Sequence, residues 1–457
     1  LLILSLLFIL LNVLDSVYQF SFGILLILLS TILFFINKNS FTKLLFLSII
    51  FVPNINRLLY SKTLEINQLN LLSISIDYML VLLAIGLLLS HLTHKKNIFS
   101  TKIDKIILLY CLWIIVEFAI SYYNFGIYEA SKGLRMLLLP IAIYYAIVYE
   151  NIKVDSLIKI ILSAYIIVIL YEIWQQVFGF FPWEKAYINN YREGAVGTLY
   201  FKSYRAGVEG FFKNLNGYDL TYVIGMFAPI IFIKWKNPKK ISKEEICFFI
   251  LGMALLIIIL ERTPLIAGIM GILIYYFILG YREGKKSKIL SAIIIIIILY
   301  SALYISKDFL LFSSSLKLRR LGEMVDPFHG TTLEYRALTH WASALPYILR
   351  PQILIGYGLS FNTEQSTPFF RGLHSLYINQ IIEMGIIGLF LLLYILYLIF
   401  RISYRSENKM LIIYFTAIIV FLIIGIPSAP FVSSSKYYFW FFIGLIVKEN
   451  NQMRLKK

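Results

Sequence analysis

Long apolar runs broken by short polar connections set the pattern of this chain, and their lengths are those of membrane helices. Hydrocarbon about 30 Å thick needs about 20 helical residues to cross, and the runs Leu71–Ser90, Ile106–Tyr123, Ser156–Phe178 and Ser375–Phe400 come close to that. The pattern predicts helices at 1–14, 19–36, 42–59, 71–90, 105–123, 134–150, 156–178, 217–234, 245–261, 263–280, 288–305, 375–400, 411–426 and 436–448. The third contains Pro53 and Asn54 and is read as a span that breaks or re-enters. No A-x-A-like cleavage site follows the first, so it is read as a span and not as a signal peptide. The expectation is an all-α polytopic membrane protein of about 12–14 transmembrane helices, forming a single membrane domain over 1–457.

Composition agrees: 60% of residues are hydrophobic, 15% are charged and mean hydropathy is +0.79, which excludes a soluble globule. Cys111 and Cys247 both fall in predicted spans, so neither a disulfide framework nor a thiolate metal site is expected.

Charge adds orientation. Alternate connections carry Lys95, Lys96, Lys102 and Lys105; Lys234, Lys236, Lys239, Lys240 and Lys243; Arg282, Lys285, Lys286 and Lys288; Arg401, Arg405 and Lys409; and the tail Arg454, Lys456 and Lys457. The positive-inside rule makes these cytoplasmic. The two longest connections, 179–216 and 306–374, then lie outside. They hold Lys185, Arg192, Lys202, Arg205 and Lys213 in one and Lys317, Arg319, Arg320, Arg336, Arg350 and Arg371 in the other. The net charge of +17 is therefore partly topogenic. The external remainder calls for an anionic ligand such as a pyrophosphate or acidic polymer, or for lipid headgroups, and not for nucleic acid.

Candidate chemistry gathers on that outer side. Arg262, in Glu261-Arg-Thr-Pro264, sits at a tight junction between two apolar runs; an isolated arginine there also serves as a headgroup anchor. Thr332–Leu349 reads as an amphipathic helix with Arg336 and His340 one turn apart on one face and Trp341, Ala344 and Leu345 apolar, stopped by Pro351 and followed by a Gly356-Tyr-Gly358 turn. Such a helix either lies over a cavity or caps the bundle. In the stretch Arg371–Gly388, a long polar loop runs into a late membrane helix and delivers a cation and the His374 imidazole at its mouth. Helical rotation puts Tyr377 and Ile378 on the face of His374, with Arg371 joining it if the helix extends back; Glu383 projects to the far side and packs beside Gly385 and Gly388. His91 and His94 read as interfacial residues and His329 as solvated. His340 is the rival to His374 as a base.

Arg371-Gly-Leu-His374-Ser with Glu383-Met-Gly385-Ile-Ile-Gly388 resembles the signature of the O-antigen ligase and O-antigen polymerase superfamily, membrane enzymes of bacterial surface polysaccharide assembly. Arg336 with Trp341, Ala344 and Gly356-Tyr-Gly358 resembles its preceding loop helix. Arg262-Thr-Pro resembles its Ser-Arg-Thr-like element, and Arg205-Ala-Gly through Asn214-Leu-Asn216-Gly its Arg-x-x-G…Asn-Pro-Asn segment. The resemblance covers 200–400. It departs from the family at Glu261, where a small residue is commoner, and at Leu215, where proline is.

The resemblance implies an active site of two arginines and a histidine at the outer face, here Arg262, Arg336 and His374, with Arg371, Arg205, Tyr377 and His340 as substrate-binding candidates. It implies no cofactor and no metal. The donor would be an undecaprenyl-diphosphate-linked oligosaccharide, and the enzyme would sit in the bacterial inner membrane with its site on the periplasmic face. Expected partners are membrane lipids and a chain-length regulator. A polymerase transfers the glycan to the sugar terminus of another lipid-linked repeat, whereas a ligase transfers it to lipid A-core or another acceptor. A lipid-linked oligosaccharide flippase is the alternative of a different class; its working charges would be the buried acids Asp77, Glu117 and Glu172, which form no matched pair in the two halves.

Overall fold

The computed structural model describes residues 17–59, 71–94, 100–179, 218–235, 241–259, 261–285, 341–361 and 375–456, with isolated positions between 290 and 338. Every regular element among them is helical. In chain order these are α1 (Val17–Ile36), α2 (Lys38–Leu59), α3 (Leu71–His94), α4 (Lys102–Leu138), α5 (Ile141–Tyr149), α6 (Val154–Phe178) and α7 (Tyr218–Lys234). Then come α8 (Lys243–Ile259), α9 (Arg262–Arg282), α10 (Ala342–Ile348), α11 (Leu376–Arg405), α12 (Lys409–Ile424) and α13 (Ser435–Lys456), with 3-10 turns at Pro351–Leu354 and Pro430–Val432. The expected helix at 1–14 lies outside the described residues, as does most of 288–305.

Among the described residues, four helices are long and apolar enough to cross a membrane, over Ile74–Leu92, Val154–Gln175, Arg262–Arg282 and Leu376–Arg405. Shorter apolar helices cover Gly23–Ile36, Leu220–Lys234 and Lys409–Ile424. Their outward faces are oily, with Leu25, Leu28 and Ile32 exposed on α1, Leu88 and Leu89 on α3, and Phe390, Leu393 and Tyr397 on α11. In water such stripes would drive aggregation; in lipid they are solvated, and the helical backbone pairs most of its polar groups internally. The chain is an all-α polytopic membrane protein.

Helix boundaries differ most tellingly from the sequence pattern around Pro53, Pro140 and the C-terminal run. Pro53 does not break α2, which continues to Leu59. The spans expected at 105–123 and 134–150 are divided elsewhere: α4 runs on to Leu138, turning at Gly126 (φ 83°, ψ 172°), and the interruption falls at Leu139–Pro140. Glycine supplies the positive φ of that turn, and Pro140 lacks the amide that would continue the ladder. At the C-terminus α13 extends to Lys456, one helix carrying the apolar run into the polar tail.

The chain divides into two compact units. One comprises Leu1–Ser90, Glu150–Thr221 and Asn237–Ile259. In it α6 packs against α2 and α8, and α1 against α2. The Thr31 and Tyr78 hydroxyls meet at 2.7 Å, and Lys38 pairs with Glu150 at 2.6 Å. The other comprises His91–Tyr149, Tyr222–Lys236 and Leu260–Lys457. Its core is the aromatic run of α13, where Tyr438, Phe439, Trp440, Phe441 and Phe442 are all buried. Phe227 of α7 packs edge-on to Tyr438, and Gly444 lets α5 approach so closely that a Cβ there would lie 3.0 Å from Ile147.

Candidate functional site

Contacts at both ends of the second unit fix the helix directions. Arg282, closing α9, donates from Nη1 to the Ser406 carbonyl just past α11 (2.6 Å), and Lys409, opening α12, pairs with Glu283 at 2.7 Å. At the other end the Leu376 amide that opens α11 lies 2.8 Å from the carbonyls of both Gly425 and Ser428, beyond α12. Between these ends a Cβ on Gly271 of α9 would meet Val420 and Thr416 of α12. So α9 and α11 start at one end, α12 returns to it, and Arg262 shares that end with the Ser375–Leu376 junction. α7 runs alongside α9 in the same direction, Gly225 facing Pro264 and Pro229 facing Gly271.

Arg262 is the first residue of α9 and is half-buried, preceded by a buried Glu261 in extended conformation that makes no capping bond. Pro264 is tolerated because first-turn amides have no partner within the helix. It seats the helix start against Gly225, where an added Cβ would lie 3.0 Å from the proline ring. A guanidinium here adds charge to the positive end of the helix dipole, a placement that an anion offsets.

The α11 junction is held just as firmly. Ser375 is extended (φ −145°, ψ 128°) and buried, the Leu376 amide is anchored as described, and the Tyr377 hydroxyl donates to the Leu422 carbonyl at 3.0 Å. Helical geometry begins at Leu376; Arg371 and His374, with which Tyr377 was expected to share a face, lie outside the described residues. Tyr377 also fastens α11 to α12.

Beside this junction the segment after α10 folds against a break in α11. Gly385 has φ 67° and ψ −179°, and a Cβ on it would sit 2.2 Å from the Ile355 carbonyl oxygen. Carbonyls near the break find partners from outside the helix: the Tyr357 amide donates to Ile382 (2.9 Å), and Trp113 Nε1 of α4 donates to Met384 (2.8 Å). The expected Gly356-Tyr-Gly358 turn is present, with φ of 119° and 99° at its glycines. Tyr357 donates from its hydroxyl to the Tyr347 carbonyl (2.9 Å) and packs with Phe361. Burial pushes that hydroxyl above its ordinary pKa, with Arg350 opposing the rise. Of the apolar face expected on the loop helix, Ala344 is buried, whereas Leu345 is exposed.

One polar stripe escaped the sequence reading as a unit. Ser121 Oγ donates to the Leu359 carbonyl and Asn124 Nδ2 to that of Tyr357 (3.3 Å). Glu117, fully buried one turn earlier, has its Oε1 about where a Cβ on Gly356 would begin to press, at 3.0 Å. Its carboxylate faces the Gly358 amide without reaching good hydrogen-bond geometry. The spacing Glu117, Ser121, Asn124, on one face of an otherwise apolar helix, is the signal that could have found it. Asp77 and Glu172, the other acids weighed for transport, belong to the first unit.

The structure thus brings Arg262 and the base of the 371–376 junction to one end. Arg205, Arg336, His340, Arg371 and His374 lie outside the described residues.

Residues 246–393 match the family described as O-Antigen ligase, about a third of the chain. The matched segment runs from α8 into α11 and takes in Arg262, Arg336, His340, Arg371, His374 and Tyr377, whereas Arg205 precedes it. No curated protein matches the chain.

Proposed function

We propose that this membrane protein, whose residues 246–393 match the O-antigen ligase family, is a surface-polysaccharide polymerase. It transfers a glycan from an undecaprenyl-diphosphate donor to the sugar terminus of a second lipid-linked repeat unit. The observation that supports this most is the common end of Arg262 and the Ser375–Leu376 junction, because diphosphate chemistry needs a fixed cation beside the group that activates the acceptor.

In this reading the acceptor hydroxyl oxygen attacks the anomeric carbon as the bond from that carbon to the diphosphate oxygen breaks, with inversion. Undecaprenyl diphosphate leaves with the electron pair, and His374 takes the hydroxyl proton, a role typically contributing about 10²–10⁴-fold. Arg262 and Arg336 hold the diphosphate through bidentate bonds and stabilise its growing charge, with no metal needed. Arg371, Arg205, Tyr377 and His340 bind the substrates, and the Tyr377 hydroxyl also keeps the junction in place through Leu422. The site faces the periplasm from the inner membrane. A chain-length regulator would act on the growing polymer.

The description of the matched family, O-Antigen ligase, favours a second reading in which lipid A-core or another terminal carrier is the acceptor. Purified protein given lipid-linked repeats alone separates the two. A ladder of lengthening products supports polymerisation; products that appear only when lipid A-core is added support ligation. His374→Ala and Arg336→Ala should abolish product while the protein still purifies as a folded species. Wild-type turnover in both variants rules the site out.

A further inference from the structure

At the end of the second unit opposite Arg262, a recess of about 910 Å³ opens between the start of α4 and the far ends of α11 and α13. Its rim carries Lys102, Arg401, Arg405 and Arg454, from three different helices, against one carboxylate, Glu407. Leu398, Ile402 and Val447, among others, give it an apolar wall. Topogenic charge requires cations near this face but does not require them to converge on one concavity.

Among the described residues, two neighbouring acids outside the recess are already engaged. Asp104, two residues from Lys102, is occupied by the hydroxyls of Thr101, Tyr144 and Tyr149. Glu283 pairs with Lys285 and Lys409, neither of which lines the recess. Lys102 also lies over the Tyr394 ring at 5.4 Å, a contact that leaves it unpaired with any acid among the described residues. Ser100, Asn450 and Asn451 of the lining supply hydrogen-bonding groups suited to phosphate oxygens and glycerol.

We propose that this recess binds an anionic phospholipid of the surrounding leaflet, its phosphate among Lys102, Arg401, Arg405 and Arg454 and the start of its acyl chains along the half-buried Ile402 and Met453. Three features select a lipid over a soluble anion. The cations stand at the ends of membrane helices, where headgroups lie; the wall below them is apolar; and basic pockets between helix ends are the usual seats of such headgroups. The inference is independent of the reaction assigned to the opposite end.

The test uses the full chain, delipidated in neutral detergent and titrated separately with phosphatidylglycerol, phosphatidylethanolamine and inorganic phosphate. Adducts are read by native mass spectrometry and melting by intrinsic fluorescence. Phosphatidylglycerol should be retained in preference to phosphatidylethanolamine and should raise the melting temperature. Arg401→Gln with Arg454→Gln should weaken its retention by roughly tenfold or more. Ile402→Trp, which fills the recess with every charge kept, should weaken it too; this variant also covers a failure of the charge-depleted one to insert. Equal retention of the two lipids by the wild type, undiminished retention by Ile402→Trp, or stabilisation by inorganic phosphate equal to that by phosphatidylglycerol overturns the proposal.

Discussion

Arg262 illustrates how little of a residue's role is in its charge. Lysine at the same place would keep the positive charge at the helix start, but it cannot offer the planar fork that matches a diphosphate. In the proposed site, replacing Arg262 by alanine removes one stabilising donor set and should lower turnover by about 10²–10³. Arg262→Lys should recover only part of that loss, because a point charge holds the diphosphate without fixing its orientation. Product ladders timed under single-turnover conditions measure both. A lysine variant as fast as the wild type would mean that Arg262 acts through charge alone, as a headgroup anchor does. The sequence singled out this arginine because it stands in a short polar junction between two apolar runs. It did not reveal that Pro264 and Gly225 clamp the helix start from which the guanidinium projects, since that contact joins α7 to α9 across almost forty residues of chain.

The break in α11 is a property of an element and its neighbour together. Read along the chain, Gly385 and Gly388 are alike: two small residues in an apolar helix, each permitting close approach. In the structure they differ. Gly388 lies against Trp113 and Met384 with helical geometry, whereas Gly385 takes φ 67° and receives the Ile355 carbonyl where a Cβ would be. Apolar periodicity passes through both positions unchanged, so the sequence carried no mark of the break. The partner that stabilises it, the 351–361 segment, lies well upstream in the chain. Gly385→Ala meets a backbone oxygen as well as a disfavoured φ and should cost about 1–3 kcal/mol or more. It should also release the Tyr357 amide from Ile382, making the segment after α10 more sensitive to limited proteolysis than in Gly388→Ala. Unchanged melting and protease resistance in Gly385→Ala would show that the break is not required. The segment's own features were more legible: the glycines of Gly356-Tyr-Gly358 announced a turn, and Pro351 the end of the loop helix, because both act through local backbone restriction.

Orientation belongs to the molecule as a whole, and here two independent lines meet. The basic connections were assigned to one side by composition alone. In the second unit Lys102, Arg282, Arg401, Arg405, Lys409 and Arg454 do gather at a single end, tied by Arg282 to Ser406 and by Lys409 to Glu283. Arg262 and the Ser375–Leu376 junction stand at the other. If positive residues mark the cytoplasm, the proposed site opens outward, where flipped lipid-linked repeats are found. Single cysteines test this in a background from which Cys111 and Cys247 have been removed by substitution with serine. Leu349, exposed after α10, and Glu407, exposed after α11, report the two ends. A membrane-impermeant maleimide should label Leu349→Cys in intact cells and Glu407→Cys only once the membrane is opened. The reverse pattern would put Arg262 in the cytoplasm, where its diphosphate donor would be met before translocation, and polymerisation at that end would have to be abandoned even though the fold and the basic recess would stand.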